Sequence, residues 1–407
     1  MRYLITMLAA ATAVVGLSAP AQAADCDVQC QLDLQRQNAV PRTAFYDPPS
    51  PLRGAPAGAL IRQQATTDYV VEQTTVPATR ILYHSRTSGG RDVAASAVVL
   101  VPQGKAPVGG WPVVVDAHGT SGVGRDCAPS LMRDLYHGNQ MLRFVERGFA
   151  VVAPDYAGLG TDGLQEALNK TAESNDVIYA QRAALRARSD LSRRWVLWGH
   201  SQGGGAAMGV AERQRILPQP GYLGTVVTSP AADLPTLVAH VANTPTYGAF
   251  AALITQGAHF SDPAIRPDRL LSPEAFSRIG ITAIGCLGAS FAAYADLTGP
   301  QLVSPSYSTD PAFTKYLRAN STGHRPVGGP VLLLQGEADT VVPTAVTDQV
   351  AASLCKLGAR VDYRTYPGLE HDTYPWVQGI DDGAMPDILA WTADRFAGRP
   401  ASATCGS

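Results

Sequence analysis

Gly-His-Ser-Gln-Gly at 199–203 sets one serine among glycines, with two more glycines directly behind it. A bare Gly-x-Ser-x-Gly is weak in a chain with 39 glycines. Its setting gives it weight: the apolar run at 195–199 reads as a strand and 202–215 as a helix, so Ser201 stands at a sharp strand–turn–helix corner. Such a corner strains the backbone at Ser201, and Gly199 and Gly203 keep side chains out of the crossing. It presents a hydroxyl at a strand's carboxyl end, ahead of helix amides that favour negative charge.

A serine hydroxyl is a poor nucleophile until a base takes its proton. Four histidines follow Ser201: His240, His259, His324 and His371. His371, in Gly-Leu-Glu-His-Asp just past the last predicted strand, is the expected base. The acid is expected at Asp339 in Gln-Gly-Glu-Ala-Asp-Thr-Val-Val-Pro, with Glu337 in reserve. An acid there holds the imidazole tautomer and stabilises the imidazolium. Donors for a tetrahedral oxyanion are expected from the amide of Gln202 and from the loop His-Gly-Thr-Ser-Gly, where Thr120 is favoured and Ser121 is second choice. His118 and His200 are assigned to packing beside the site, and Asp155, Tyr156 and Gly158 to shaping a neighbouring loop.

These residues need strands to carry them. A strand is expected near Thr75, and apolar runs follow near 94–102, 111–117, 149–154, 194–200, 224–230, 329–335 and 361–366. Helical patterns fall at 126–147, 163–188, 202–215 and 343–357. Continuous apolar strands alternating with helices indicate an α/β fold, a mostly parallel sheet covered on both faces. From 231 to 328 no strand is evident, only Ala- and Gly-rich helical stretches, and so long a gap is no loop. The expected division is a segment at 1–23 that is removed, an N-terminal arm over the core at 24–80, a core of 81–230 with 329–407, and a helical cap at 231–328.

Composition bounds the rest. The chain has 407 residues, 45% hydrophobic and 16% charged, too apolar for disorder. A net charge of −2 leaves no basic footprint for nucleic acid. Residues 1–23 combine a positive start, a short apolar run and Ala-x-Ala, which reads as a secretory signal peptide and predicts a secreted, extracellular or periplasmic protein. No transmembrane segment is expected beyond it. The cysteines at 26, 30, 127, 286, 355 and 405 fit disulfides in an oxidising compartment, with 15 connectivities open to six cysteines. Cys26 and Cys30 lack a partner pair at zinc-finger spacing, and no metal or cofactor is implied.

The motifs His-Gly-Thr-Ser-Gly, Ala-Pro-Asp-Tyr-Ala-Gly-Leu-Gly, Gly-His-Ser-Gln-Gly-Gly and Gln-Gly-Glu-Ala-Asp, followed by Gly-Leu-Glu-His, resemble the α/β-hydrolase superfamily. More narrowly, Asp-Cys-Ala-Pro-Ser at 126–130 with the long helical insertion resembles the secretory lipases of the lipase A type. The resemblance runs from about Thr75 onward. It implies Ser201, Asp339 and His371 as nucleophile, acid and base, and oxyanion donors at Gln202 and the Thr120–Ser121 loop. It also implies a lid formed by the insertion and a Cys127–Cys286 bridge to it, with Cys355–Cys405 and Cys26–Cys30 alongside. This chain departs from the pattern in an Ala-rich lid and in Gln202.

The expected activity is a secreted serine carboxylic-ester hydrolase on small-molecule or lipid esters, in transient contact with lipid interfaces. A serine peptidase of the same fold needs an acid to anchor an amine, and the cap holds few acids, among them Asp233, Asp262, Asp268, Glu274 and Asp296. A binding protein on a retired hydrolase scaffold would carry the same fold, although an intact Ser, acid and His argue against it. An acyltransferase that prefers another alcohol to water would carry the same motifs.

Overall fold

In the computed structural model, which describes residues 26–52, 54–373 and 378–405, the Val-, Leu- and Ala-rich runs form one nine-stranded sheet. The expected signal peptide at 1–23 lies outside the described residues. The strands are β1 (Leu60–Val71), β2 (Thr74–Arg86), β3 (Asp92–Leu100), β4 (Trp111–Ala117), β5 (Ala150–Pro154), β6 (Leu191–His200), β7 (Tyr222–Thr228), β8 (Val331–Gly336) and β9 (Val361–Tyr366). Their order is β1-β2-β3-β5-β4-β6-β7-β8-β9. Pairing is antiparallel from β1 to β5 and parallel from β5 through β4 to β9.

Alternation along the central strands divides the core. Val113, Val115, Leu197 and Leu333 face one side, and Val114, Val196, Trp198, Leu332 and Leu334 the other. Each such side chain contributes about 1.5–3 kcal/mol by leaving water.

Helix α1 (Val28–Asn38) precedes the sheet, and α2 (Gly138–Glu146) lies between β4 and β5. Helix α3 (Lys170–Ala187) leads into β6, and α4 (Gln202–Ile216) leaves it. Between β7 and β8 come α5 (Leu234–Asn243), α6 (Gly248–Ser261), α7 (Pro267–Leu270), α8 (Pro273–Ser277), α9 (Gly280–Ile284), α10 (Leu287–Tyr294) and α11 (Pro311–Asn320). Helix α12 (Thr344–Lys356) separates β8 from β9, and α13 (Ile380–Gly383) and α14 (Met385–Phe396) follow. Helices α3, α4 and α12 cover one face through residues such as Ile178, Met208 and Leu354, while α2 and α14 cover the other through Phe144 and Ile388. The insertion from α5 to α11 has an apolar core of its own around Leu234, Ile254, Tyr294 and Phe313.

Three expectations differ from what forms. The 24–80 stretch is not a simple arm over the core: β1 and much of β2 are sheet strands, and α1 packs on the insertion, where Gln35 exchanges hydrogen bonds with the Ile284 carbonyl (3.2 Å) and the Cys286 amide (2.8 Å). The expected helix at 126–147 is two 3-10 turns and then only α2. Pro129 and the positive φ angles of Leu135 and Tyr136 interrupt it. The expected helix at 163–188 begins only at Lys170, where Asn169 accepts hydrogen bonds from the amides of Thr171 and Ala172.

All three disulfides implied by the resemblance form: Cys26–Cys30, Cys127–Cys286 and Cys355–Cys405. Among the described residues no helix is long and apolar enough to cross a membrane.

Candidate active site

Strand ends converge at the carboxyl edge of the parallel sheet. β6 runs into Ser201, whose φ of 56° and ψ of −119° lie in a sparsely populated region. A non-glycine residue persists there only where its surroundings hold it. Here the Ser201 amide donates to the Thr228 carbonyl at 3.0 Å, and its carbonyl accepts from the amides of Gly205 and Ala231 at 3.1 and 2.9 Å. The crossing has no spare space. A Cβ on Gly199 would stand 2.2 Å from the Gly203 carbonyl oxygen, and one on Gly203 would stand 1.8 Å from that of Ala117.

His371 lies past β9 and is buried. Its Nε2 is 2.8 Å from Ser201 Oγ, and its Nδ1 is 2.9 Å from Asp339 Oδ2. With the ring neutral, Nδ1–H donates to the carboxylate and Nε2 accepts the serine hydroxyl. Asp339, in the loop after β8, is fixed by the amides of Val341 and Val342 on Oδ1, at 3.0 and 2.7 Å, and by the Gln335 side-chain amide on Oδ2 at 3.0 Å. The structure thus brings Ser201, Asp339 and His371 together. It leaves Glu337 exposed on the Thr365 hydroxyl. His240 and His259 bond to backbone carbonyls of Thr340 and Ile265, and His324 is exposed.

Burial works against charge on both partners, and their neighbours oppose it. The His371 pKa, lowered by burial, is pushed up to about 9 by the carboxylates of Asp339 and Asp372, the Asp339 hydrogen bond and Asp381. Burial raises Asp339, but the His371 charge and hydrogen bond, with Ser229 and the Val342 amide, bring it below the usual carboxylate range.

Gln202 opens α4, and the first amides of a helix have no partner within it. The loop after β4 comes close: a side chain on Gly119 would reach within 3.6 Å of Ser201 Cβ. Thr120 and Gln202 line a cavity together with Ser201. The Thr120 carbonyl is engaged by the Tyr136 hydroxyl at 2.7 Å. Ser121 does not line that cavity; it is buried, and its carbonyl accepts the Leu287 amide at 3.0 Å. The rest of the lining is apolar, including Leu168 from the core and Leu237, Val241, Leu253 and Ile254 from the insertion.

Two partners escaped sequence reading. Asp372 sits 2.8 Å from His200 Nε2, and the imidazoles of His200 and His371 lie 4.7 Å apart between ring centres, tilted by 45°. Burial raises the Asp372 carboxyl, but the charges of His200 and His371 hold it at about 2. Glu173, buried in α3, takes the Gln202 side-chain amide at 2.6 Å and the Leu168 amide at 2.8 Å, and burial pushes its pKa up to about 8. Proximity of His371 and Asp372 in sequence is a signal for the first pair. Nothing in sequence marks Glu173.

His118 is buried on the Gly119 carbonyl, and its pKa is lowered by burial to about 3, so it stays neutral. Asp155 is sequestered by Ser96 and Ser130, and the Tyr156 hydroxyl donates to the His118 carbonyl at 2.9 Å. Both brace the loop after β4, in keeping with the shaping role expected of them. Among the described residues, His200, His371 and Asp372 form the one cluster with metal-ligand spacing. Each is already engaged by the contacts above.

Comparison with known proteins places this architecture. The family model described as secretory lipase matches residues 137–404. A secreted triacylglycerol lipase of Malassezia globosa is 33% identical over 96 residues, covering 23% of this chain and 19% of that protein. The match therefore spans about a fifth of that relative. A probable inactive lipase of Mycobacterium tuberculosis is 24% identical over 394 residues, covering 88% of this chain and 82% of that one. Among solved structures, Candida antarctica lipase A superposes with a TM-score of 0.75 at 17% identity, covering 91% of this chain and 89% of its own. The rice cell wall degrading esterase LipA of Xanthomonas oryzae gives 0.68 at 17% identity, over 84% and 99%.

Proposed function

Because the chain belongs to the secretory lipase family, we propose that it is a secreted serine carboxylic-ester hydrolase working through Ser201, Asp339 and His371. The observation that carries this reading is the continuous file from Ser201 Oγ through His371 to Asp339, with contacts of 2.8 and 2.9 Å. His371 Nε2 takes the hydroxyl proton as Oγ attacks the ester carbonyl. The amides of Gln202 and Thr120 receive the oxyanion, and Ser121 is set aside because it does not line the cavity. His371 then protonates the leaving alcohol. Water, activated by the same imidazole, releases the acid and restores Ser201. The apolar wall beside Ser201 suits an acyl group. The family, the disulfides and the signal-like 1–23 segment support export.

The name of the mycobacterial relative raises a second reading, a hydrolase scaffold without activity. The aligned triad side chains favour the active one. Hydrolysis of p-nitrophenyl esters, compared with Ser201→Ala, tests it. The variant is expected to lose roughly three or more orders of magnitude in kcat, because such residues act as a unit. A wild-type protein that neither hydrolyses an ester nor reacts with a fluorophosphonate would support the inactive scaffold.

A further inference from the structure

We propose that this protein is a short-acyl esterase with a pocket of fixed size, accepting acyl groups of about two to four carbons and gaining no rate at a lipid–water interface. The proposal rests on the assignment of Ser201 as nucleophile and adds the substrate class to it.

The cavity beside Ser201 measures about 30 Å³. That is far below the roughly 300–1,000 Å³ of an ordinary ligand pocket, so the space suits a short acyl chain and a longer one has to displace the walls. The walls come from both parts of the molecule: Ala167 and Leu168 from the core, Leu237, Val241, Leu253 and Ile254 from the insertion.

Those walls are tied together around the cavity. Ala167 is held by two insertion helices. The Tyr316 hydroxyl of α11 donates to its carbonyl at 2.9 Å, and α6 lies so close that a Cβ on Gly257 would stand 2.6 Å from the same oxygen. Leu253 is buried against Val123 and Ala167. On the oxyanion side, the loop that carries Thr120 is joined to the insertion covalently by Cys127–Cys286 and by the hydrogen bond from Leu287 to Ser121. A Cβ on Gly124 of this loop would stand 2.6 Å from the Ala283 carbonyl oxygen. At the insertion's two ends, the Thr322 amide donates to the Ala232 carbonyl at 2.9 Å and the Leu234 amide to Ser321 Oγ at 3.2 Å. Swinging the insertion outward to admit a long chain therefore breaks hydrogen bonds and apolar packing on three sides, and on one of them the Cys127–Cys286 bond anchors it.

The test is a series of p-nitrophenyl esters from acetate to laurate, with active sites counted by fluorophosphonate labelling, and tributyrin hydrolysis followed through its solubility limit. The expected result is kcat/KM at least roughly tenfold higher for C2–C4 than for C8–C12, the loss from a chain that cannot be accommodated. No jump is expected as tributyrin becomes an emulsion. Leu253→Ala and, independently, Ile254→Ala are expected to raise the C8-to-C2 ratio by roughly tenfold, since each removes wall volume. An optimum at C8 or longer in the wild type, or a jump at the emulsion boundary, overturns the proposal while leaving Ser201 in place. A protein that is not labelled and cleaves no chain length overturns the Ser201 assignment itself, and the proposal with it.

Discussion

After Asp339, Asp372 is the residue that most raises the proton affinity of His371. A general base works only when neutral, and the carboxylates around His371 hold its proton up to about 9. The ascending limb of kcat/KM against pH is therefore expected on the alkaline side of neutrality. Asp372→Asn removes one of those negative charges and is expected to move that limb to lower pH by on the order of one unit. An unmoved limb in pH-rate profiles would show that Asp372 serves only to seat His200. The proposed nucleophile, base and acid were legible as candidates in sequence because each stands in a loop after a recognisable apolar strand, and chemistry leaves few residue types to choose from. Sequence favoured Thr120 and kept Ser121 as second choice, since which of two adjacent residues faces a cavity is decided by loop geometry. Glu173 was invisible for a different reason. It lies mid-helix without a motif, and only the packing of α3 on α4 brings it to Gln202.

At the scale of elements, the tightest junction is the crossing of β6 and α4 beside β4. Gly203→Ala places a methyl group 1.8 Å from the Ala117 carbonyl oxygen, a distance that backbone atoms cannot accept. Such overpacking typically costs about 1–3 kcal/mol or more, and the shift lands on the nucleophile and the oxyanion loop at once. A loss of activity well beyond the fall in melting temperature is expected, measured on the soluble variant by thermal denaturation and ester hydrolysis together. Buried strands β4 to β8 were readable because a parallel sheet covered on both faces demands uninterrupted branched residues. The strand β1 was not, because its polar Gln63, Gln64 and Thr66 belong to an exposed edge. The false helix at 126–147 shows the converse. Helical periodicity was present, but a proline, a disulfide at Cys127 and two left-handed residues govern that stretch.

For the whole molecule, stability and activity are expected to run oppositely with pH. Burial pushes the carboxyls of Asp155, Asp176 and Glu173 up to about 6, 7 and 8. Each keeps its proton in the folded state at pH values where the unfolded chain has lost it, so stability falls as pH rises from about 4 toward 8. His371 adds to the same trend: its raised pKa contributes stability below about 6.5 that is lost as pH passes 9. Asp339 and Asp372, with lowered values, lose theirs only at the acid end, below about 4. Melting temperatures are expected to peak in mildly acidic buffer and fall by on the order of 5 °C or more by pH 9, as turnover increases. A melting temperature that rises across that range would contradict the buried-carboxyl account.

The chain order of the site has one last effect. Ser201 and His371 are 170 residues apart, and the entire α5–α11 insertion is made between them. A growing chain thus completes its central strands and its sharp serine corner long before the imidazole exists to activate it. On the proposed mechanism, a nascent chain still short of His371 holds no base for Ser201, and turnover waits for the segment that follows β9.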